Sequence, residues 1–209
     1  EEAAKRISLS EDRTKAIASS LSGLREKSFP MYTGCLEGKL FLPVRKAKLE
    51  GRIAGIDSGF MAKELSSVDL MLVRAIAAVF TYKDNRLAKS EYWPSPASLP
   101  EPFVLGRDSE MDELGISVSL LRLREEVSKA IEAIRRFSPQ YCFLDGSIVP
   151  QYMDKPRSNS GMRETYLETV SLFENLYSSA RKADCELVAC VEDSRGARFR
   201  DIVSGLVES

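Results

Sequence analysis

Apolar positions along this chain fall into two rhythms, short continuous runs and stripes at helical spacing. From Ala3 to Leu24 the apolar residues Ile7, Ile17, Leu21 and Leu24 stand among charges, which predicts an amphipathic N-terminal helix. Ser28 to Gly51 is punctuated by Pro30, Gly34, Gly38 and Pro43 and is expected to be irregular. Arg52 to Asp57 is a short apolar run ending in an acid, predicting a buried strand that stops at a Ser58-Gly59 turn. Val68 to Tyr82 is apolar almost throughout and rich in strand formers, with Asp84-Asn85 as the turn after it. The proline-rich segment Tyr92 to Pro102 is expected to be an irregular connection, with Trp93 as its packing anchor.

The second half alternates long helices with short strands. Between Asp108 and Phe137, Leu120, Leu123, Val127, Ala130, Ile131 and Ile134 recur at spacings of three and four and form one apolar stripe. Tyr141 to Asp145 is a second apolar strand ending in an acid, followed by Gly146-Ser147. A helix is predicted over 163–182, with Leu167, Val170, Phe173 and Leu176/Tyr177 on its inner face. Glu186 to Val191 reads as a third buried strand, and Arg195 to Val207 as the start of a last helix. Helices alternating with strands predict an α/β fold, helices packed on a central sheet.

Composition narrows the chemistry. With 209 residues, 44 % of them hydrophobic and 29 % charged, the chain has the make-up of a folded globular protein. Thirty basic against thirty-one acidic residues exclude a generally basic nucleic-acid coat, while leaving room for a local basic groove. The absence of histidine excludes imidazole bases, Ser-His-Asp and Cys-His nucleophile systems and histidine zinc sites built from this chain. Acid, base or metal chemistry must therefore rest on carboxylates, Lys, Tyr or Cys. Cys35, Cys142, Cys185 and Cys190 form no C-x-x-C pair and are expected to be buried free thiols in a reducing cytoplasm. With no apolar run of membrane-spanning length and no signal-peptide pattern at Glu1-Glu2-Ala3-Ala4, a cytoplasmic protein without membrane association is expected.

Two strands each deliver an aspartate followed by small residues: Ile56-Asp57-Ser58-Gly59 and Leu144-Asp145-Gly146-Ser147. At the end of a sheet, such acids can meet a ligand, and converging carboxylates suit hard divalent cations. Two such ions would activate water and stabilise a leaving oxygen in phosphodiester cleavage. The plainer alternative is that each Asp caps the turn after it. A third acid is offered by the helix, as Glu125 or Glu126, the latter four residues after Arg122 and able to share its face.

The strings Ile53-Ala54-Gly55-Ile56-Asp57-Ser58-Gly59, Leu121-Arg122-Leu123-Arg124-Glu125-Glu126 and Phe143-Leu144-Asp145-Gly146-Ser147 resemble, in order and separation, those of the NurA nucleases. The resemblance runs from about Arg52 to Val203, with Asp-Gly-Ser its most specific piece. It implies an RNase H-like mixed central sheet flanked by helices over 51–209, preceded by a helical and irregular extension over 1–50. It also implies a manganese-dependent deoxyribonuclease, with magnesium as a substitute, that degrades 5′ ends and cleaves single strands in end resection. A homodimer working beside a HerA-type hexameric translocase is implied as well. Carried over by position, the acids are Asp57, Glu126 (with Glu125 its rival) and Asp145. Family members continue into further strands and a late histidine, which this sequence does not show. Glu192 stands where a lysine is expected, and Asp193 is either an added metal ligand or a helix cap.

Substrate would be held by cations following the two later strands: Lys155, Arg157 and Arg163, and Arg195, Arg198 and Arg200. Arg122 is a further candidate for nucleic-acid contact, and Tyr152 for stacking on an unpaired base. Two other readings stand. Gly55-Ile56-Asp57-Ser58-Gly59 also resembles the phosphate-binding hairpin of actin-like and sugar-kinase-like ATP-binding domains. An inactive RNase H-like scaffold that recruits a translocase is the other.

Overall fold

The computed structural model describes residues 2–22, 43–106, 112–150, 155–156 and 161–191. The chain forms two compact units, 1–47 and 48–209. The first contains α1 (Glu2–Ser22), the amphipathic helix expected there. The second contains β1 (Gly51–Glu64), β2 (Val68–Lys83), β3 (Arg86–Trp93), β4 (Glu101–Gly106), α2 (Asp112–Phe137), β5 (Tyr141–Asp145), α3 (Arg163–Lys182) and β6 (Glu186–Cys190).

Six strands make one mixed sheet in the order β3-β2-β1-β5-β6, with β4 paired to the first half of β2. β1, β2 and β3 are antiparallel, whereas β5 runs parallel to β1 and β6 parallel to β5. This is an antiparallel meander extended by two parallel strands, with α2 before β5 and α3 between β5 and β6, the mixed sheet flanked by helices that was expected. The β2–β3 hairpin closes on Asp84 and Asn85, both at positive φ (51° and 61°), a pair that matches a two-residue turn favoured by the sheet's twist. Asn85 is also tied to Leu49 through its side chain (2.7 Å) and backbone (3.2 Å).

Strand alternation divides the sheet into two faces. Ala54 and Ile56 pair with Val79 and Ala77, and all four are buried beneath Val127, Ala130, Ile131 and Ile134 of α2. Cys142 and Leu144 of β5 extend this layer to Phe173, Leu176 and Ala180 of α3. Trp93 packs on the same core, donates from Nε1 to Glu132 at 2.6 Å, and lies under the Arg136 guanidinium, 4.2 Å from its ring centre. Its anchoring role is as expected.

Several local expectations need correction. The first strand does not stop after Asp57. It continues to Glu64, because every residue of Gly51–Glu64 has a partner on β2, and Ser58-Gly59 is strand, not turn. β3 and β4 were not anticipated. Pro102 lies inside β4, an edge strand, where a missing N–H is tolerated. On α3 the inward stripe runs through Thr169, Phe173, Leu176 and Ala180, so Leu167 is turned outward and 55 % exposed. Thr169 is accommodated by donating its hydroxyl to the Thr165 carbonyl at 2.7 Å. β6 is half exposed as an edge strand, and its Cys190 is exposed, unlike the buried Cys142 and Cys185. Cys35 and the helix expected over 195–207 lie outside the described residues. Among the described residues no helix is long and apolar enough to cross a membrane.

Burial pushes the Cys142 thiol up to about 12 and the Cys185 thiol to about 11, leaving little reactive thiolate at either. Iodoacetamide at pH 8, followed by peptide mass mapping, should therefore modify Cys190 in the folded protein. Cys142 and Cys185 should react only after denaturant is added.

Candidate active site

The site is built on the sheet's parallel seam. Ile56↔Leu144 is the last pair of the β1–β5 register, and Asp57 and Asp145 are the residues that directly follow it on the two strands. Both acids are exposed and, by alternation, share the face opposite the α2 layer. Asp145 is the last residue of β5 and marks the carboxyl end of the parallel ladder, where α/β sheets bind ligands, whereas Asp57 sits within β1, which runs on to Glu64. Gly146 turns the chain away directly after it. Its φ of +84° is one a side chain resists, and its N–H donates to the Cys190 carbonyl at 2.8 Å.

Glu126 reaches the same rim from α2. It is 6 % exposed, and its Oε1 accepts the hydroxyl of Ser58 and Nη2 of Arg122, the latter at 3.3 Å. Arg122 also donates from Nε to Ser58 Oγ (3.1 Å) and from Nη2 to the Ser58 carbonyl (3.4 Å), with its guanidinium over the Phe60 ring at 5.6 Å. Burial holds the Glu126 carboxyl above the usual carboxylate range. The Ser58 hydroxyl and the Arg122 charge pull it down, and the charges of Asp145 and Asp57 push it up. Glu126 is therefore in electrostatic reach of both aspartates.

Glu125 has different surroundings: it pairs with Arg124 at 3.6 Å and is not held by Ser58. Of the two helical candidates, Glu126 is the one that feels the charges of Asp57 and Asp145. The acids do not meet as one cluster, however. Among the described residues no three Asp, Glu, Cys or His side chains are grouped closely enough to hold a metal ion. The cause is the pleat: Asp57 and Asp145 share one face, while Ser58 and its partner Glu126 lie on the other.

Among the proposed substrate contacts, Lys155 and Arg163 are exposed, and Arg163 begins α3. Arg122 is engaged with Ser58 and Glu126. Tyr152, Arg157, Glu192, Asp193, Arg195, Arg198 and Arg200 lie outside the described residues. Sequence reasoning overlooked Ser58 as the partner of Glu126. The signal was available, since Ser58 falls two residues after Ile56 and is the polar member of a buried alternation.

No family model matches the sequence, and no curated protein matches it. Among solved structures the chain is similar to the NurA nuclease from Sulfolobus solfataricus, at 15 % identity and TM-score 0.49, over 90 % of this chain and 59 % of that one. A structure of NurA bound to dAMP and manganese shows 14 % identity and TM-score 0.42, over 99 % of this chain and 44 % of that one. The trimeric exonuclease PhoExo I from Pyrococcus horikoshii OT3 shows 17 % identity and TM-score 0.32, over 75 % and 66 %. This chain spans about half the length of these two NurA structures. Likeness of this degree assigns neither family nor activity.

Ser58→Ala removes a donor that offsets the burial of Glu126, and should cost about 1–3 kcal/mol in a urea melt. Adding Glu126→Gln, which leaves no buried charge to compensate, should restore most of that loss.

Proposed function

We propose that this chain is the catalytic part of a metal-dependent DNA nuclease of the NurA kind. The observation that carries this reading is that Asp57 and Asp145 directly follow the paired residues Ile56 and Leu144 on parallel strands, with the buried Glu126 in electrostatic reach of both. An RNase H-like sheet order supports it. The donor set consists of carboxylate oxygens, which fits a hard cation such as Mn2+ or Mg2+ better than a soft one. Asp57 and Asp145 would hold the ion, Asp193 would be a further ligand, and Glu126, held by Ser58 on the α2 side of the strand, would act on the site through its charge. The bound ion supplies Lewis-acid polarisation of a phosphate and an acidified water.

The protein's own share is positioning. Ser58 and Arg122 fix one oxygen of Glu126, so its carboxylate is oriented before substrate arrives. The exposed Asp57 and Asp145 leave the rim open to a polyanion, whose phosphates Lys155, Arg157, Arg195 and Arg198 would hold without reading sequence. Tyr152 would stack on an unpaired base. In this reading the protein acts as a cytoplasmic homodimer with a HerA-type translocase, degrading 5′ ends and cutting single strands during end resection.

Release of nucleotides from end-labelled DNA tests the assignment. Manganese should switch the release on and EDTA should stop it. Asp57→Ala, Asp145→Ala and Glu126→Ala should each reduce it to the metal-free background, while Glu125→Ala retains most of it. Cleavage that survives both aspartate changes refutes the site, and ATP-dependent phosphoryl transfer without DNA cleavage points to the kinase-like reading. An inactive protein that still binds a translocase points to the scaffold.

A further inference from the structure

Arg74 has no role in the site described above, and its position is unusual. It is the one charged residue in the run Leu70–Phe80, which otherwise fills β2 with apolar side chains. It is exposed while Val73 and Ala75 on either side are buried. Register puts Arg74 opposite Gly59, one residue pair along the hairpin from Ser58 and Ala75. Counting along the pleat, Asp57, Gly59 and Arg74 lie on the same face, the one that also carries Asp145. Asp57 and Arg74 are diagonal neighbours, a spacing of about 7–8 Å that an arginine side chain reaches across.

The surroundings leave that guanidinium available. It makes no ion pair among the described residues, and its one hydrogen bond is a long contact from Nη1 to the Ser98 carbonyl at 3.5 Å. Gly59 beside it is exposed, and a Cβ built there would meet no atom within 4 Å. Arg74 also stands between the stretches of β2 covered by β4 (68–73) and by β3 (77–83), so neither neighbour strand crowds it. An acid pair, a bare glycine and an unpaired cation thus follow one another on one open surface.

We propose that Arg74 is a phosphate-contacting residue that holds the nucleic-acid backbone next to the scissile position, with Gly59 as the cleared floor between it and the acids. The inference rests on the nuclease reading, and it deepens it by setting the face on which the strand lies. Cation and acids on one face hold the backbone along β1, beyond the rim, and not over the α2 layer. A guanidinium gives a backbone contact without sequence information.

The test is the salt dependence of binding. A labelled single-stranded oligonucleotide is titrated with the full chain in EDTA at several KCl concentrations, so that binding is read without cleavage. Each phosphate contact contributes about 0.7 to the slope of log K against log salt for a single strand. Arg74→Ala and Arg74→Gln should each lower the slope by about that amount, with an unchanged melting temperature because the side chain is exposed. Arg74→Lys should keep the slope, and Arg86→Ala, at the far end of the β2–β3 hairpin, should leave it unaltered. An unchanged slope for Arg74→Ala, or an equal fall for Arg86→Ala, overturns the proposal while leaving the nuclease reading intact. A wild-type chain that binds no DNA sinks the nuclease reading itself.

Discussion

The parallel pairing of β1 with β5, in one register, is the constraint on which the candidate site depends. Ile56 opposite Leu144 buries both side chains under α2 and α3, and the two aspartates directly follow this last pair on their strands. A slip of one residue would put Leu144 out of the core and send one acid to the other face. Hydrophobic burial thus enforces the acid geometry, since neither aspartate needs an attraction of its own to reach the other. The long β1–β2 hairpin adds rigidity, because all fourteen residues of β1 are paired on one side before β5 joins on the other.

Glu126 is held by a different balance. A buried carboxylate is costly unless its oxygens are paired, and here one oxygen takes both Ser58 and Arg122. Arg122 in turn rests on Phe60, so two residues of β1 on the α2 side, Ser58 and Phe60, brace the helix against the strand. At the other end of α2, Trp93 is tied to Glu132 and Arg136. The helix is therefore pinned at two levels to the sheet, which fixes how far along the rim Glu126 stands.

How much of this was legible in the sequence follows from which signals are local. The helix over 163–182, the strand ending at Asp145, the Asp84-Asn85 turn and the apolar stripe of α2 are encoded by periodicity and turn chemistry, and the structure has them all. β3 and β4 were hidden, because Arg86–Trp93 is mostly exposed and Glu101–Gly106 carries a proline; their pairing comes from β2, not from their own composition. The end of β1 was misread for the same reason: Ser58-Gly59 has turn chemistry, yet hydrogen bonding to β2 overrides it. The acids were visible as residues, but the face each one occupies was not, since that depends on a register between segments some ninety positions apart.

The continuation of β1 past Asp57 also discriminates between the readings that the sequence left open. A phosphate-binding hairpin of the actin or sugar-kinase kind needs the chain to turn within the Gly55–Gly59 string, bringing backbone N–H groups to a phosphate. Here those residues are consumed by the ladder: Gly55 through Gly59 pair in sequence with Ala78 through Arg74. The reversal comes only after Glu64, where Leu65 N–H donates to the Val68 carbonyl at 2.9 Å. The Gly55–Gly59 string therefore forms no turn to cradle a nucleotide phosphate. What remains at that point of the strand is an exposed carboxylate, held in a ladder and not in a turn.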